Sequence, residues 1–157
     1  VHDLRFTGPP YTTTLEYLDY LEPVVPPEQS GIVEDLFRTI TLWEFEAKEG
    51  EWERTEDGKY RVRMTVEAHK FRADGQGQET EIPIDEWVDV AVFGEETDDS
   101  PEEGRVLFLE KRRVSATEGV IEMVVDEEPQ RVGIDPFNKL IDRNPGNNLV
   151  RVSEADG

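Results

Sequence analysis

From Tyr60 to Ala68 the chain alternates without a break. Tyr60, Val62, Met64, Val66 and Ala68 are apolar, and Arg61, Arg63, Thr65 and Glu67 between them are polar. A period of two puts each set on its own face of an extended strand, an arrangement that a helix cannot maintain. The run leads to Ala73-Asp74-Gly75-Gln76-Gly77, whose glycines supply the positive-φ positions of a tight reversal. Beyond it Ile82, Ile84, Val88, Val90 and Val92 share one parity, while Trp87, Ala91 and Phe93 occupy the other. The second run, Glu79 to Phe93, therefore predicts a strand covered on both sides for part of its length. Two long strands joined by a glycine turn make a hairpin that is marginal alone in water. Tyr60–Phe93 thus predicts the scaffold on which other strands assemble, and none of its residues is chemically armed.

The same reading extends along the chain. Gly8-Pro9-Pro10 keeps residues 1–11 irregular. Thr13-Thr14-Leu15-Glu16 reads as a capping box, opening a short helix with Leu15, Leu18 and Leu21, helped by Tyr17, on its apolar stripe; Pro23 ends it. Pro26-Pro27-Glu28 starts a second helix with Ile32, Val33, Leu36 and Phe37 on one face. Both are too short to fold alone, so Leu15, Leu18, Ile32, Val33, Leu36 and Phe37 are expected to dock on the β part or on a missing neighbour.

From Thr39 the period becomes two, with Trp43, Phe45 and Ala47 alternating with charged residues until Glu49-Gly50 turns the chain toward Trp52. Asp57-Gly58 is a hairpin signal. Gly94 to Gly104 is acidic, lacks apolar residues and predicts a mobile loop. Further strands are expected at Val106–Leu109, around Ile121–Val125 and at Val132–Ile134, with Leu149–Val152 as a last edge strand. The sum is about seven strands with no helix between them. The predicted class is mainly β: an antiparallel immunoglobulin-like β-sandwich over 39–157, preceded by two short α-helices in a lead-in over 1–38.

Composition narrows the function classes. Acidic residues number 37 against 17 basic, a formal net charge of −20. That surface repels phosphates, so no nucleic-acid partner and no membrane insertion by this segment are expected. A well-solvated surface, a salt-rich cytoplasm and a basic partner are all compatible with it. The absence of cysteine excludes disulfides and thiolate metal sites. Val1-His2-Asp3 lacks an initiating methionine, which suggests a piece of a longer protein.

Chemical candidates are sparse. His2 and His69 lie in no His-Glu-x-x-His pattern, so neither catalytic nor metal-binding residues are expected within this chain. Ser30, Ser100, Ser115 and Ser153 sit in no nucleophile elbow. Gly75-Gln76-Gly77 follows a strand but opens no helix, so it reads as a turn rather than a phosphate loop. Asp98-Asp99-x-x-Glu102-Glu103 and Asp142-x-Asn144-x-x-Asn147 offer oxygen ligands without the spacing of a calcium loop. Trp43, Trp52 and Trp87 read as core or contact residues before they read as a sugar platform.

The segments Asp35–Trp43 (DLFRTITLW), Asp57-Gly58-Lys59-Tyr60, Ala73–Pro83 (ADGQGQETEIP), Val132–Pro136 (VGIDP) and Leu140-Ile141-Asp142-Arg143 form a distinctive combination. The chain from Tyr11 to about Val152 resembles the C-terminal end of bacterial zinc aminopeptidases of the gluzincin class. In many of these the peptidase is fused behind the membrane-spanning permease part of an ABC transporter. The resemblance implies a non-catalytic accessory domain whose partner is the preceding peptidase domain of the same polypeptide. The resemblance also implies that the zinc would belong to the parent enzyme, because the family's zinc motif, its downstream glutamate ligand and its amine-recognition motif have no counterpart here. The alternative is an independent binding module for a peptide or sugar.

Overall fold

In the computed structural model, which describes residues 11, 13–96 and 104–155, the chain divides into two units, Val1–Thr39 and Ile40–Gly157. The expectations that fall on residues 1–10, on Ser100 and on the acidic segment 97–103 lie outside the described residues.

The first unit opens with the capping box. Thr13 Oγ1 accepts from the Glu16 backbone N–H at 3.3 Å, and the Glu16 carboxylate accepts from the Thr13 N–H at 2.7 Å. Two orphan donors of helix α1 (Thr14–Leu21) are satisfied in this way. A 3-10 turn over Glu22–Val24 holds Pro23 and carries the chain out of the helix. The second helix is less regular than its apolar face predicts. It is built from a 3-10 turn (Pro27–Gln29), a single α turn (Gly31–Val33) and a π turn (Glu34–Arg38). The π turn closes where the Thr39 N–H and hydroxyl both donate to the Glu34 carbonyl, at 3.1 and 2.9 Å. Within the unit Tyr17 and Phe37 pack with ring centroids 6.1 Å apart, and Arg38 pairs with Glu22.

The second unit is mainly β, with eight strands among the described residues: β1 (Ile40–Arg54), β2 (Tyr60–Ala73), β3 (Glu79–Ile82), β4 (Glu86–Phe93), β5 (Val106–Val114), β6 (Glu118–Val125), β7 (Arg131–Ile134) and β8 (Leu149–Glu154). They form a curled sheet in the order β3-β2-β1-β8-β7-β4-β5, with β6 beside β3 along the same edge of β2. All pairs are antiparallel except β1 with β8.

Four sequence expectations need correction. The Tyr60–Phe93 hairpin is short: only Glu79–Ile82 pairs with β2 across the glycine turn. Pro83 has no N–H for the ladder, and β4 leaves to pair with β5 and β7. Glu49-Gly50 is not a turn, because β1 runs straight through a bulge at Lys48 that exchanges the buried parity from Trp43, Phe45 and Ala47 to Gly50. Gly50 is a glycine for want of room: a Cβ there would lie 2.7 Å from a Val152 methyl and 2.9 Å from one of Val132. Leu149–Val152 is no edge. β8 gives Leu149–Arg151 to β7 and Val152–Glu154 to β1, so it joins the two halves of the sheet. That parallel contact also means the sheet is not wholly antiparallel.

The core follows the predicted parities. Val62, Met64, Val66 and Ala68 of β2 are buried, as are Trp43 and Phe45 of β1. Val88, Val90 and Val92 are buried on one parity of β4, and Ala91 and Phe93 on the other. Side chains of this size contribute about 1.5–3 kcal/mol each when fully buried.

Candidate functional site

The register of the first three strands sorts a second set of side chains onto the face the core does not use. Glu44 lies opposite His69, Glu46 opposite Glu67 and Leu42 opposite Phe71, which in turn lies opposite Glu81 of β3. Glu79 of β3 and Glu118 of β6, opposite Ala73 and Glu67, share that parity.

His69 is the centre of this face. Its Nδ1 lies 2.6 Å from the Glu81 carboxylate and its Nε2 3.0 Å from Glu67. A neutral imidazole carries one N–H and can serve one of these acceptors, whereas the imidazolium serves both. Glu81 first, and then Glu67, hold the His69 pKa above its ordinary value. Lys48, the extra residue of the β1 bulge, reaches Glu67 at 2.6 Å and Glu46 at 3.2 Å. Lys48 and then His69 pull the Glu67 carboxyl below its usual range.

Arg143 comes from a segment laid beside β1. The Trp43 N–H donates to the Ile141 carbonyl, and the Arg143 N–H donates to the Trp43 carbonyl, both at 3.0 Å. This places the guanidinium 4.5 Å from the centre of the Phe71 ring, where it bonds Glu44 at 2.8 Å and also pairs with Glu79. Asp142 accepts from the Phe45 N–H at 3.1 Å and from the Asn144 N–H at 2.8 Å. Between these groups lies a cleft of about 280 Å³, lined among others by Glu44, Glu46, Glu67, His69, Asp142 and Asn147. Each lining carboxylate is already engaged by a cation or a backbone N–H, and Glu81 and Glu67 favour the protonated form of the imidazole.

The remaining candidates find ordinary roles. Gly75 and Gly77 have φ of 75° and 90°, and Asp74 Oδ1 accepts from the Gln76 and Gln78 N–H groups, so the Gly-x-Gly is a hairpin turn. Asp142 of the second calcium candidate is committed to the backbone, and no cluster of three metal-ligating side chains occurs among the described residues. Trp43 is fully buried, Trp52 packs edge-on against Tyr60, and Trp87 is exposed. Of the docking candidates Leu18 and Val33 are buried, Ile32 and Leu36 half-buried, and Leu15 and Phe37 exposed.

Sequence reasoning missed two buried charge clusters. Lys70 follows the apolar parity of β2 inward, lies 5.7 Å from the Trp43 ring centre and pairs with Glu86. Asp89, between Val88 and Val90, pairs with Lys139 at 2.5 Å and Lys111 at 3.1 Å. Burial pushes the Asp89 carboxyl up, but the two ammonium groups outweigh it and leave the pKa below the usual range. Asp135 has a φ of 42° and caps its loop by accepting from the Lys139 and Leu140 N–H groups, both at 3.0 Å. Burial pushes its carboxyl up. A lysine on an apolar parity and an aspartate inside a two-sided strand were the available signals.

Comparison of the chain with protein-family models, with curated proteins and with solved structures finds no match.

Proposed function

We propose that this chain is a non-catalytic accessory domain, the C-terminal portion of a membrane-linked zinc aminopeptidase fused to an ABC transporter permease. In this reading the helical unit packs against the peptidase module. The observation that carries it is the apolar surface the helical unit leaves in solvent. Leu15 is 70% exposed and Val24 74%, and Tyr17, Tyr20 and Phe37 are exposed as well. So many large apolar side chains on so short a segment are what a docking surface requires. The resemblance of Asp35–Trp43, Ala73–Pro83 and the later segments points to the partner. The charged cleft supports the same reading, since its groups are spent on one another rather than held ready for a substrate.

The β unit is, in this proposal, an immunoglobulin-like sandwich. One set of strands is β1, β2, β3 and β6, the other β4, β5 and β7, and β8 gives half its length to each. That division supports the assignment. Among the described residues no helix is long and apolar enough to cross a membrane. Membrane anchorage therefore falls, in this reading, to other parts of the parent.

Metal analysis after dialysis, together with a chromogenic aminopeptidase assay, tests the non-catalytic assignment. The expected result is neither activity nor stoichiometric zinc, and one tightly bound zinc per chain would overturn it. The coding sequence upstream of Val1 tests the parentage separately. A His-Glu-x-x-His motif is expected there, and its absence would remove the peptidase.

A further inference from the structure

We propose that His69 is a pH-sensitive latch that holds edge strand β3 against β2 as the imidazolium and loosens it when the ring loses its proton. β3 spans only Glu79–Ile82, pairs with Lys70–Ala73 of β2, and has no second strand neighbour among the described residues. Its ladder is short, and Pro83 cannot extend it. Two side-chain ties reinforce it. Glu79 pairs with Arg143, and Glu81 pairs with His69. Arginine stays cationic at every pH the protein meets, so that tie is permanent. The histidine tie is not.

Loss of the ring proton does more than remove one charge. A neutral ring can donate to Glu67 or to Glu81 but not to both, and its lone pair then faces the other carboxylate. Glu67 retains Lys48, whereas among the described residues His69 is the cation paired with Glu81. The groups facing the ring are otherwise mostly acidic. β1 contributes Glu44 and Glu46 with Lys48, β2 Glu67, β3 Glu79 and Glu81, β6 Glu118, and the segment beside β1 Asp142 with Arg143. Without the imidazolium this excess of carboxylates repels the two glutamates of β3. The sign follows from the raised pKa: the latch is complete below the ordinary histidine value of about 6.5 and is lost as pH rises through the higher folded value. Opening would free the Lys70–Ala73 edge of β2, a ready template for another extended chain.

Amide hydrogen exchange between about pH 5.5 and about pH 9, corrected for intrinsic rates, tests the latch while NMR follows the His69 ring. Protection of those Glu79–Ile82 amides that donate to β2, alternate ones along the strand, should fall about two- to fivefold across the His69 titration, the range expected for one partly exposed charge pair. The Val88–Val92 amides of β4 should be unchanged. His69→Arg should hold protection at its low-pH level throughout, and Glu81→Gln should give the open level at every pH. Constant β3 protection through the titration, or the same loss in His69→Arg or Glu81→Gln, would overturn the proposal.

Discussion

The two units differ in how completely they bury their largest apolar side chains. In the helical unit Leu18 and Val33 are buried while Leu15, Val24 and Phe37 stand in solvent. In the β unit Trp43, Phe45, Met64 and Phe93 are sealed. The cause is geometric. An eight-residue helix can have one stripe covered by a short neighbouring segment, and the rest of its surface stays wet. A strand in a curled sheet is covered along its whole face by strands distant in sequence. The β unit therefore seals a continuous core from within, although Val120, Val124 and Leu109 on its outer face stay exposed, whereas the helical unit buries little beyond Leu18 and Val33.

The sharpest way to break this comparison is to truncate one phenylalanine in each unit. Phe45 is 1% exposed, so Phe45→Ala should cost about 3–5 kcal/mol in urea unfolding. Phe37 is 42% exposed and leans only on part of its surface, so Phe37→Ala should cost about 1 kcal/mol or less. Equal costs would show that the helical face is packed in solution and would end the contrast.

Glycine substitutions sharpen it at a smaller scale. Gly50→Val forces methyl groups into the Val132 and Val152 side chains and should destabilise by about 1–3 kcal/mol. Gly31, in a helical turn where an added methyl group would meet nothing within 4 Å, offers the reverse case. Gly31→Ala should stabilise by about 0.4–1 kcal/mol, through the reduced freedom of the unfolded chain. A destabilising Gly31→Ala would mean that its surroundings are closed.

Salt has the smallest effect and asks whether the surface charge is balanced locally. Pairs such as Arg61 with Glu53 and Arg63 with Glu122 are exposed and contribute little. The surplus of acidic residues behind the net charge of −20 remains, and screening should relieve it. Thermal midpoints should rise from dilute buffer to high sodium chloride. A falling midpoint would place the weight on the local pairs instead, and the salt-rich reading of the composition would go with it.

Much of this molecule was legible from short stretches. The capping box at Thr13 and Glu16, the glycine turn at Gly75 and Gly77, and the inward parity of Val62–Ala68 each depend on neighbours a few residues away, and all three form as read. The bulge at Lys48 was not legible, since one inserted residue leaves a plausible alternation on either side of it. Nor was the site. His69 reads as a polar-face residue, and only the register of β1, β2 and β3 brings Glu44, Glu67 and Glu81 around it, with Arg143 arriving from the far end of the chain.

Local alternation determined that Val62–Ala68 would be strand and which side of it would be dry, because those follow from the backbone's own period. Only the tertiary structure decided which strands pair. An apolar face and a row of N–H and C=O groups do not specify their neighbour. That is why β4 leaves β2, why β8 lies between β1 and β7, and why Lys70 meets Glu86 in the core.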